Sequence, residues 1–164
     1  MHHKSVTRFD ETWHRLLDWT AGQTPSERLA ALMLDEEGYE SIDPAHPLGG
    51  KDGGADALVY RDSQLWIMAV YFPRGQQTIG EITAKLTSDV AKAKTKRADL
   101  VGVAFVTNQE LRLSEREALR KLGGGIEIDL FHLERLTTIL DRPRMAGVRE
   151  QFLYISAGPP PILV

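Results

Sequence analysis

Residues 55–72 read ADALVYR-DSQ-LWIMAVYF, and the fold turns on them. Two short runs rich in Val, Ile, Leu, Tyr and Trp flank the turn-forming Asp62-Ser63-Gln64, which predicts a β-hairpin. The second run is apolar at nearly every position and ends at Pro73 and Gly75. Residues 100–107 (LVGVAFVT) are again almost continuously apolar, the mark of a central strand covered on both faces. Between these runs, residues 78–94 place Ile79, Ile82, Leu86, Val90 and Ala93 on one helical face. Thr78-Ile79-Gly80-Glu81 opens that helix with a capping box. Strand, covering helix and second buried strand make a parallel crossover, which chain chirality expects to be right-handed.

Working outward, Phe9, Trp13, Leu16 and Leu17 recur at helical spacing over residues 8–20. Thr24-Pro25-Ser26-Glu27 predicts a second helix start: a capping Thr, a Pro at the first helical position and a Glu three residues after the cap. Residues 38–43 (GYESID) read as a short strand, followed by a loop with Pro44, Pro47 and the glycine-rich GGKDGG of residues 49–54. Downstream come a helix over 114–122, a glycine stop at 123–125, a strand over 126–130 and a helix over 132–140. The order α-α-β-β-β-α-β-α-β-α predicts an α/β fold, a mixed β-sheet with a β-hairpin and flanking helices. It divides into a helical extension at 1–23, a core at 24–142 and a C-terminal segment at 143–164. The Gly158-Pro159-Pro160-Pro161 tail is linker-like, as in a module joined to other domains of a larger chain.

At 164 residues the chain has the size of one ordinary domain, long enough to bury a core without staples. It has no cysteine, which excludes a disulfide scaffold, a Cys-type zinc site and a thiol nucleophile. No apolar run reaches eighteen residues and no signal-peptide pattern is present, so a cytoplasmic setting without a membrane partner is expected. The net charge of −3 is unevenly spread: residues 1–70 carry −6, residues 71–100 carry +3 and the rest balance. The basic stretch contains Lys85, Lys92, Lys94, Lys96 and Arg97. It is either a solvated helix face or a surface for phosphates; Lys85 and Lys92, seven apart, share one face. His14, His46 and His132 lack metal-ligand spacing, and no G-x-S-x-G, H-E-x-x-H, G-x-G-x-x-G or P-loop pattern occurs.

Several motifs in this order resemble the restriction-endonuclease-like fold, more narrowly the Mrr-type branch of the PD-(D/E)xK nucleases. The motifs are Ser26-Glu27-Arg28-Leu29, Gly38-Tyr39-Glu40, Gly50-Lys51-Asp52-Gly53-Gly54-Ala55-Asp56 and Phe105-Val106-Thr107-Asn108, closed by the strand and helix of residues 126–140. The resemblance implies nucleic acid as partner and a role in restriction or defence. It also implies phosphodiester hydrolysis assisted by Mg²⁺ or Mn²⁺, with Asp56 as metal ligand. The family's second acid and its Lys lie two apart on the next strand. Here that slot falls at Ala69-Val70-Tyr71, and no acid or Lys occurs between Gln64 and Pro73. Asp52, Lys51, Arg74, Gln76 and Gln77 are the nearby candidates to compensate; Gln76 and Gln77 stand with Asp56 as the candidate catalytic residues, and Asp56 is expected within reach of Gln76 or Gln77. Lys51, Arg74, Lys85 and Lys92 are the candidate phosphate contacts. With an incomplete motif the alternative is a catalytically inactive interaction or sensor module on the same scaffold. Asp56 also reads as a strand cap or a partner of the glycine-loop amides, the four glycines as ordinary turn residues, and Glu27 as a helix cap.

Overall fold

A computed structural model describes residues 8–43 and 57–156. Five strands form one mixed sheet in sequence order: β1 (Glu40–Asp43), β2 (Ala57–Arg61), β3 (Gln64–Tyr71), β4 (Gly102–Thr107) and β5 (Glu127–Phe131). The first three pair antiparallel, and β3, β4 and β5 run parallel. The α/β class, the hairpin and the mixed sheet are therefore those expected from the sequence. The hairpin closes through a two-residue loop, with Arg61 paired to Gln64. Asp62 and Ser63 both take positive φ (51° and 63°), the turn geometry whose twist matches the flanking strands.

Side-chain alternation along β3 divides the core. Trp66, Met68 and Val70 face a cluster with α1 (Arg8–Leu17), α2 (Gln23–Glu36), α5 (Leu133–Leu140) and α6 (Ala146–Leu153). Leu65, Ile67 and Ala69 face a second cluster beneath α3 (Ile79–Lys96) and α4 (Leu113–Arg120). Strand β4 repeats the pattern, with Ala104 and Val106 on one side and Val103 and Phe105 on the other. The result is a three-layer arrangement in which the two crossover helices cover one face and the remaining four cover the other.

Two elements differ from expectation. Helix α2 begins at Gln23, and its cap is Gly22 at φ 91°, not Thr24. Its first turn is tied internally: Gln23 Nε2 donates to Glu27 Oε1 (2.8 Å) and Ser26 Oγ donates to the Gln23 carbonyl (2.7 Å). Helix α6 lies inside the C-terminal segment set apart at 143–164, where no helix is expected from the sequence. A 3-10 turn over Pro143–Met145 leads into it, and Met145, Leu153 and Ile155 are buried in the first cluster. Leu16 and Trp19, from the segment set apart as 1–23, join that same cluster.

Asp129, in the middle of β5, fastens the sheet to its helices. Its carboxylate accepts from the Tyr39 hydroxyl (2.6 Å), Arg135 (2.7 Å) and Arg61 (3.3 Å). Burial first, then the bond to Asp129, pushes the Tyr39 phenol far above its ordinary value. Arg135 continues to Glu37, and Arg142 and Arg144 extend the ion pairs through Glu36 and Glu37.

Candidate functional site

The carboxyl ends of β3 and β4 lie together, since Tyr71 pairs with Thr107. Chain leaving parallel strands at such an edge is where open α/β sheets take ligands. The hairpin register brings the start of β2 to the same region: Ala57 is opposite Met68, next to the Ala69-Val70-Tyr71 slot. Asp56 and Lys51, the predicted metal ligand and one predicted phosphate contact, lie outside the described residues, as does Asp52.

The slot itself is core. Ala69 and Val70 are each 3% exposed, Ala69 against the residues beneath α3 and Val70 in the opposite cluster. Tyr71 is half-buried, and burial raises its phenol, helped by the negative charge of Glu81. Glu81, an exposed residue in the first turn of α3, is thus the carboxylate felt at the end of β3; the sequence presents it only as part of a helix cap. Among the described residues, no three His, Asp or Glu side chains are grouped as metal ligands. The described part of the slot offers two buried apolar side chains and a phenol in place of acid and Lys. The described residues do not fit the implied Mg²⁺ or Mn²⁺ site.

Gln76, Gln77 and Arg74 come together in the loop after β3, but both Gln side chains are engaged with backbone. Gln76 Oε1 accepts from the Glu110 N–H (2.9 Å), and its Nε2 donates to the Glu110 carbonyl (3.2 Å). Gln77 Nε2 donates to the carbonyls of Arg74 (3.2 Å) and Gly75 (3.1 Å). The centre of this bracket is Asn108-Gln109, both fully buried. Asn108 Nδ2 donates to the Leu16 and Pro73 carbonyls, each at 2.8 Å. Gln109 Nε2 donates to the Asn108 side-chain oxygen (2.9 Å) and to the Gly75 carbonyl (3.0 Å). Gln109 Oε1 accepts from the Gln77 N–H at 2.6 Å. Asn108 and Gln109 thereby satisfy loop backbone from within the core, and Gln76 and Gln77 close the bracket on its more exposed side. Asn108 had a signal in the sequence, as the polar end of Phe105-Val106-Thr107-Asn108; Gln109 had none beyond its neighbour.

The described candidate cations stand in different settings. Arg74 Nε donates to Asp18 (2.9 Å), and both groups are well exposed, so the pair exchanges readily with solvent or an anion. Lys85 Nζ is held 2.9 Å from the buried Asp89 and is largely covered. Lys92, two turns further along α3, is exposed. His132 caps α5 by accepting from the Arg135 N–H through Nδ1 (3.5 Å). Burial, followed by the nearby Arg116, pushes its imidazole down to about 4.

Neither a protein-family model nor a curated protein matches the chain. Among the described residues no helix is long and apolar enough to cross a membrane.

Proposed function

We propose that the chain is a nucleic-acid-directed domain of the restriction-endonuclease-like kind that binds its partner without hydrolysing it. One observation carries this reading: Ala69 and Tyr71, the two positions at which the resembling nucleases hold acid and Lys, bring a buried methyl group and a half-buried phenol instead. A carboxylate placed at the Ala69 position would be desolvated. The two Gln side chains that could have substituted are spent on the loop bracket. What supports nucleic acid as partner is the order of elements shared with those nucleases. The exposed Lys92, and Arg74 in its exchangeable pair, supply cations for phosphate. A place in defence against foreign DNA belongs to the same proposal by that likeness, which is an argument by analogy of fold.

The test combines binding and cleavage on one set of labelled substrates: duplex DNA, single-stranded DNA and RNA. Binding by fluorescence anisotropy is expected in the range of roughly 10⁻⁴–10⁻⁶ M and to weaken steeply with added salt. It should fall further in the Arg74→Glu, Lys92→Glu double variant. No product is expected with Mg²⁺ or Mn²⁺. Cleavage that disappears with chelator and in Asp56→Ala would replace this reading with metal-dependent hydrolysis. Failure to bind any of the three polymers at low salt would remove nucleic acid as partner.

A further inference from the structure

A cavity of about 560 Å³ opens where the carboxyl ends of α1 and α6 approach the loop after β3. Its volume falls within the roughly 300–1,000 Å³ of small-molecule sites. Leu17, Trp19, Phe152 and Leu153 give it an apolar floor, while His14, Arg15 and Asp18 bring polar and charged atoms to its walls. The site is separate from the Ala69-Val70-Tyr71 slot and does not depend on what that slot does.

Tyr154 at the rim is a second, independent observation. It is 74% exposed, an unusual state for a large aromatic residue beside a cavity. It also caps α6 in the left-handed conformation, at φ 58° and ψ 32°. That position ordinarily falls to Gly or Asn, because a side chain with a Cβ is strained there. A bulky residue held against backbone preference, with its ring open to a ligand, points to a use for the ring. Among the described residues Arg15 has one long ion pair, 3.9 Å to the half-buried Glu11, and such a pair yields readily to a better anion.

From these features we infer that the cavity binds a nucleotide: its base stacks on Tyr154 over the apolar floor, and its phosphate meets Arg15. Every base has a face that an aromatic side chain can stack on, and a guanidinium is suited to phosphate. Asp18 is an acceptor for a base amino group or a ribose hydroxyl. The nucleotide is either free or the phosphorylated end of a single strand, since both offer one base and one phosphate.

The experiment follows the Trp19 indole N–H in ¹H–¹⁵N spectra of the whole chain. AMP, adenosine, inorganic phosphate and a short 5′-phosphorylated single-stranded oligonucleotide are titrated separately. Trp19 reports directly, because its ring is in the cavity wall and its N–H is fixed on the Gly22 carbonyl (3.0 Å). AMP or the oligonucleotide should shift this resonance at lower concentration than adenosine or phosphate alone. Response to AMP identifies a free nucleotide, and response to the oligonucleotide alone identifies a strand end. Tyr154→Asn removes the ring but keeps a residue that tolerates left-handed backbone, so the fold is retained. It should weaken binding about tenfold, the order expected from losing one stacked base. Arg15→Gln should abolish the preference for AMP over adenosine. The assignment is overturned if neither AMP nor the oligonucleotide moves Trp19 at millimolar concentration. It is equally overturned if Tyr154→Asn, shown folded by its spectrum, binds as tightly as the parent chain. Because AMP is a monomer, success here with failure of polymer binding would leave the cavity assignment standing while removing the proposed function.

Discussion

Acidification should unfold this domain partly through His132. The imidazole is 8% exposed, and it faces Arg116 and Arg120 of α4 and Glu134 and Arg135 of α5. Protonation would charge a desolvated ring among three guanidinium groups. It would also place an N–H where Nδ1 now accepts from the Arg135 amide, removing the α5 cap. The folded ring titrates at about 4 and an unfolded one at about 6.5, so the unfolded chain binds the proton first. The contribution to stability is therefore present above pH 6.5 and is lost as the pH falls towards 4. Between pH 7 and pH 5 the loss is about 2 kcal/mol, approaching about 3 kcal/mol below pH 4. Urea denaturation of the parent chain and His132→Asn at both pH values isolates this term, because Asn still caps a helix but does not titrate. The variant should lose about 2 kcal/mol less than the parent chain between pH 7 and pH 5. A ring proton titrating at pH 6 or above by NMR, or identical pH dependence in parent and variant, would refute the reasoning.

Three further outcomes follow from packing and pairing. Asn108→Leu leaves the Leu16 and Pro73 carbonyls without their shared donor and should cost about 2–4 kcal/mol in urea denaturation, where Gln76→Ala on the exposed side of the bracket costs less. Gly102→Ala would drive its Cβ into Cζ3 and Cε3 of the Trp66 ring and to 2.8 Å from the Glu127 carbonyl, so thermal melting should show a loss of about 1–3 kcal/mol. Lys85→Met removes the ammonium from the buried Asp89 and should destabilise by about 1–3 kcal/mol, whereas Lys92→Met on the exposed face changes the melting temperature little.

The sheet was legible because its signals are local. The alternation of Trp66, Met68 and Val70 against Leu65, Ile67 and Ala69 is hidden by their being apolar on both faces, and that double burial is itself the sign of an inner strand. Helix α6 was not legible. Its sequence AGVREQFL has no regular apolar stripe, and Arg149 is buried with its guanidinium on the carbonyls of Leu140 and Arg142. A helix held by tertiary partners of that kind leaves little periodicity to read. The Gln76-Gln77 pair was legible as hydrogen-bonding equipment, but its partners were not. They are backbone atoms at Glu110, Arg74 and Gly75, and Glu110 is brought close only when β3 and β4 pair in register.

The same bracket shapes the end of the molecule at which ligand binding is proposed. A strand paired on both sides and covered on both faces has no room for charged groups along its length, and β3 and β4 are such strands. Polar function must then sit where the strands end. Here those ends are fastened to α1: Asn108 holds the Leu16 carbonyl, and the Gly75 N–H donates to the Leu17 carbonyl at 2.7 Å. Gly75 also lines the cavity, while its carbonyl accepts from both Gln77 and Gln109. One short loop therefore forms a wall of the nucleotide-sized cavity and the outlet of the slot strand. Its backbone is fixed by side chains that are themselves buried, so both surfaces are presented in one preset geometry, and a ligand on either meets groups already in place.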